Sequence, residues 1–63
     1  MDSCRDIIDS FQSDDPEILR EAAFRAGEEN CLEAIPALSR LLLFSNIGVQ
    51  EAAELTLRKL GGK

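Results

Sequence analysis

Three observations predict an all-α fold for this 63-residue chain. Apolar residues recur at helical spacing in four successive segments, which places them on one face of each helix. No segment alternates apolar and polar residues between Gly, Asn or Pro turns, so no strand is expected. Finally, Glu21-Ala22-Ala23 returns thirty residues later as Glu51-Ala52-Ala53, so the helices come in a repeated order.

The first helix rests on Cys4, Ile7, Ile8 and Phe11, spaced i, i+3, i+4 and i+7. Asp2 or Ser3 can cap its start, and Gln12-Ser13-Asp14 interrupts the pattern. Asp15 is the N-cap candidate of the second helix. Pro16 suits its first position, where the missing N–H would have had no partner anyway. Glu17 adds negative charge where the helix dipole favours it. Leu19, Ala22, Ala23 and Ala26 then line one face, and Gly27 suits a left-handed residue that ends the helix. A face built from Ala demands a neighbour that approaches closely.

Glu28-Glu29-Asn30 reads as a polar turn. The third helix starts between Asn30 and Ala34, with the later start favoured because Pro36 fits best in a first turn. Ile35, Leu38 and Leu42 form its central stripe, with Leu32 leading in. Ser45-Asn46 supplies the next cap. Val49, Ala52, Ala53, Thr56 and Leu60 repeat the helical period until Gly61-Gly62 stops it.

Aligned at the thirty-residue offset, Leu19 faces Val49 and Asp15 faces Ser45. Upstream, Ile7, Ile8 and Phe11 play the role of Leu38, Leu41 and Leu42. The order is apolar helix, polar cap, Ala-Ala helix and Gly stop, twice over. Such a period indicates a solenoid of stacked helix pairs, here one domain, 1–63, with repeats at 3–27 and 31–61. The stretches Asp15-Pro16-Glu17-Ile18-Leu19-Arg20-Glu21-Ala22-Ala23, Glu33-Ala34-Ile35-Pro36-Ala37-Leu38, Val49-Gln50-Glu51-Ala52-Ala53 and Leu60-Gly61 carry a resemblance to the HEAT-like repeat family. The likeness is to its short bacterial type, as in phycobilisome lyases, and spans 15–61 more closely than 1–14. It implies a scaffold rather than an activity, and a ladder between repeats in which Asp15 and Arg20 match the family pattern. Ser45 and Gln50 depart from that pattern in the second repeat.

Composition narrows the functional classes. A 63-residue chain buries only roughly 60% of the surface it exposes when unfolded, so a staple or a partner surface is expected to help it. With no His and two separated Cys, a zinc site is not expected, and neither is a cofactor. Cys4 and Cys31 fall among apolar residues and read first as buried small hydrophobes, with a disulfide or reactive thiol as the alternative. The net charge of −5 divides into −7 over residues 1–33 and +2 over 34–63. That balance argues against nucleic acid, whose binding relies on clustered Lys and Arg. The charges solvate outer helix faces or, alternatively, make a dipolar module able to stack head to tail. No apolar run is long enough for a membrane span, and Met1-Asp2-Ser3 lacks signal-peptide character, so the cytoplasm is the expected location.

Catalysis is not expected. Without His, a general base would have to be a carboxylate in an apolar setting, and no such setting is visible. Asp14-Asp15 and Glu28-Glu29 read as caps and solvating charge. The informative excess is apolar. On the third helix Leu41 and Leu43 flank the stripe, and Phe44 lies nearly behind it; on the fourth, Leu55 and Leu57 flank the Ala face. Inner helices of a solenoid carry wide stripes, yet no polar cap follows Leu60. Leu43, Phe44, Leu55 and Leu57 are therefore the candidate partner-binding residues. The expected role is protein–protein interaction, within a longer array or as a homo-oligomer. An accessory or lyase-like enzyme component and an independent helical-bundle adaptor are the alternatives.

Overall fold

Helices form where the apolar stripes predict them. The computed structural model describes residues 3–61. They form α1 (Ser3–Ser10), α2 (Pro16–Glu28), a 3₁₀ turn (Leu32–Ala34), α3 (Ile35–Leu41) and α4 (Ile47–Gly61), with no strand among them. Ser3 opens α1, while the possible cap Asp2 and the second stop residue Gly62 lie outside the described residues. No helix among the described residues is long and apolar enough to cross a membrane.

Local chemistry sets most boundaries. Asp15 has extended backbone, and its Oδ1 accepts from the Glu17 N–H at 3.0 Å, with Pro16 opening α2 as expected. In the matching position before α4 the cap is Asn46 rather than Ser45. Its Oδ1 accepts from the Val49 N–H at 3.1 Å. Pro36 sits in the first turn of α3, which is the later start.

Three expectations need correction. Gly27 does not end α2; it is helical, and Asn30 takes the left-handed conformation at φ 55°. The Cys31 N–H reaches the Ala26 carbonyl at 2.9 Å and the Asn30 N–H reaches Gly27 at 3.3 Å, the paired bonds of a Schellman motif. Gly27 serves packing instead: a Cβ there would already stand 3.4 Å from Thr56 Cγ2. Second, α3 stops at Leu41, and its buried residues are Leu38 and Leu41, with Leu42 exposed. Extending the helical wheel through Phe44 therefore misplaced three residues, because after Leu41 the chain turns and Phe44 folds back against the core. Third, Cys4 and Cys31 are not independent buried thiols but a disulfide, with Cα atoms 5.6 Å apart.

The core is built from small residues on α2 and α4. Leu19 and Val49, Ala22 and Ala52, Ala23 and Ala53, and Ala26 and Thr56 are all buried, each pair thirty residues apart. Arg20 lies beside Gly48, Ala23 beside Thr56, and Gly27 beside Thr56 and Lys59, so the two helices run parallel. The extensive contacts join α1 to α2, α2 to α4, α4 to α3, and α1 to the 3₁₀ turn. An up-and-down bundle would instead make its main contacts between α2 and α3. The thinnest Cα dimension, 15 Å, is that of two packed helix layers. Ile7 and Leu38 are the fully buried large side chains of the outer pair.

Candidate interaction surface

The surface features follow from where each helix turns its apolar residues. α4 points Val49, Ala52, Ala53 and Thr56 inward. At 100° per residue, Leu55 and Leu57 then fall on opposite flanks. Leu55, 55% exposed, borders an open groove with Phe24, Gly27, Glu28, Thr56 and Lys59. Leu57 is half-buried and packs against the core on the other flank. Gln50 shares that second flank, and its side-chain N–H donates to the Phe44 carbonyl, closing the turn between α3 and α4. Phe44 and Leu57 therefore belong to one side of α4 and Leu55 to the other.

Leu43 stands at the tip of that turn, 88% exposed. Leu42 and Ile47, the latter 73% exposed, flank it in sequence, so the turn presents three exposed apolar side chains beside exposed Ser45 and Asn46. Ile47 was missed as a candidate although the sequence carried the signal. Two residues before Val49, it falls about 160° from the buried face of α4. Phe24 was missed for a similar reason, since it sits about 140° from Leu19 and separates two open grooves. The groove on its far side is lined by Asp15, Glu17, Ile18, Arg20 and Glu21.

Asp15 and Arg20 do not pair with each other. Asp15 caps α2, and Arg20 extends along α4 with its Cδ 3.6 Å from where a Gly48 Cβ would stand. The ion pair among the described residues is Arg58–Glu54 at 3.4 Å, an exposed i, i+4 contact worth roughly 0.3–0.5 kcal/mol. No group of three or more metal-ligating side chains gathers among the described residues. What the surface offers is therefore apolar contact and mixed charge. No family model, no curated protein and no solved structure matches this chain.

Proposed function

We propose that the chain is a protein–protein interaction module of two HEAT-like repeats, non-catalytic and cytoplasmic, that scaffolds by stacking on further repeats or on a second copy of itself. The supporting observation is the α2–α4 contact. Two helices from different hairpins lie parallel, in register with the thirty-residue offset, and bury the same four positions. Stacking of this kind leaves a used flank and an unused flank on each helix. α2 spends its Gly27 flank on α4, while the equivalent flank of α4 carries half-buried Leu57 and Gln50, which bonds to the Phe44 turn. That end, with Leu43, Phe44 and Ile47 beside it, is the surface on which a partner would sit. Leu55, on the other flank, would take part only in a contact that spans the Phe24 groove.

Molar mass by light scattering over a concentration series tests this reading. Mass rising with concentration, and falling to the monomer value in Leu43→Glu, is the expected result. A monomer at every concentration, for both chains, would rule out self-association through this end.

A further inference from the structure

The Cys4–Cys31 disulfide joins two residues of unequal access. Cys4 is half-buried on α1, whereas Cys31 is 3% exposed, and its N–H is tied to the Ala26 carbonyl at the end of α2. The elements they sit on are unequally anchored too. α1 has eight residues, too few to hold a helix unaided, and over residues 4–10 of it only Ile7 is fully buried. Its extensive contacts reach α2 and the 3₁₀ turn alone. Cys31 is held as well by its N–H bond to the Ala26 carbonyl and as the cap of the 3₁₀ turn. The covalent link across 27 residues therefore ties a short, lightly anchored helix to a segment with backbone bonds of its own.

We propose that this pair is a thiol–disulfide exchange site, opened by an external dithiol at Cys4, and that α1 is the element it releases. The dithiol's thiolate attacks Cys4 Sγ, the sulfur of the less buried cysteine. The Cys4–Cys31 bond breaks and its electron pair leaves on Cys31 Sγ, which takes a proton from water. The second thiolate of the reductant then attacks its own sulfur in the mixed disulfide, closes the reductant's disulfide and releases Cys4, which is protonated in turn. Two electrons pass to the chain, and the dithiol's two protons are balanced by those taken up at Cys4 and Cys31.

Glu33 stands at the point of attack. Its Oε1 lies 3.8 Å from Cys4 Sγ, so its negative charge opposes the approach of the attacking thiolate. This inference is independent of whether the chain stacks on a partner.

Hydrogen exchange on the intact chain, oxidised and after dithiothreitol, tests the release. Amides of α1 are expected to lose at least tenfold in protection on reduction while α2 and α4 keep theirs. Equal protection of α1 in both states overturns the proposal, and so does a joint loss in all the helices. Acid-quenched glutathione is expected on Cys4; its capture first on Cys31 overturns the direction of attack. Glu33→Gln is expected to speed exchange with dithiothreitol by about fivefold at low salt, the effect of one unit charge at 4 Å in water. An unchanged rate overturns the role of Glu33.

Discussion

Thr56 is the polar side chain buried among the described residues, and its hydroxyl donates to the Ala23 carbonyl at 2.9 Å across the α2–α4 contact. A hydroxyl fits there because α2 presents only Ala23 and Gly27 at that level, leaving its backbone within reach. Val keeps the volume of Thr but removes the donor. Thr56→Val should therefore cost about 0.5–1.5 kcal/mol, the net value of one buried hydrogen bond. In a domain of this size each kcal/mol is read as roughly 4–8 °C in a thermal melt. A melting temperature unchanged within a degree would mean that the bond carries no net stability. The same level shows why position 27 is small: a side chain longer than Cβ would press on Thr56 and Lys59.

At the scale of the element, the end of α2 shows how a short loop is specified. The left-handed residue is Asn30, two positions past the last helical residue, and the polar run Glu28-Glu29-Asn30 holds no Gly to take that conformation. Asn tolerates it better than most side chains. Asn30→Ala should lower stability by roughly 1 kcal/mol, while Asn30→Gly should be neutral or better. Thermal melts of the two variants would separate them; equal values would mean that φ at this position is not strained. α3 makes the opposite point. Its apolar run continues through Leu42, Leu43 and Phe44, so periodicity could not say where the helix stops. The stop follows from the turn in which the N–H groups of Leu42, Leu43 and Phe44 bond back to Ser39, Arg40 and Leu41, with Gln50 donating to the Phe44 carbonyl.

Across the whole molecule, stability depends on how closely two Ala-lined helices approach. Ala23 and Ala53 are fully buried in a body only 15 Å thick, so neither layer has room to absorb added volume. Ala53→Leu should wedge the core and cost about 1–3 kcal/mol. The loss would appear as an earlier denaturation midpoint with an unchanged slope, whereas a changed slope would mean that the layers rearranged. The disulfide acts at this scale as well. It ties α1 to the start of the 3₁₀ turn, across 27 residues, where the sequence read the two cysteines first as separate buried thiols.

How much of this was legible in the sequence differs from residue to residue. Asp15, Pro16 and the faces Leu19-Ala22-Ala23-Ala26 and Val49-Ala52-Ala53-Thr56 were readable, because caps and helical periodicity are properties of a few adjacent residues. The Glu-Ala-Ala sequence recurs at one offset, and both of its Ala pairs are buried. Ile47 was legible on the same wheel and was passed over. The pairing of Cys4 with Cys31, the buried bond from Thr56 to Ala23 and the inward turn of Phe44 were not. Each depends on which distant segment arrives beside it, across 27 residues for the disulfide and 33 for the threonine. The sequence by itself determined where helices form and which face of most of them is apolar, since both are local. Only the tertiary structure decided that α2 lies beside α4 and that one disulfide ties down α1, because those outcomes depend on packing between segments far apart in the chain.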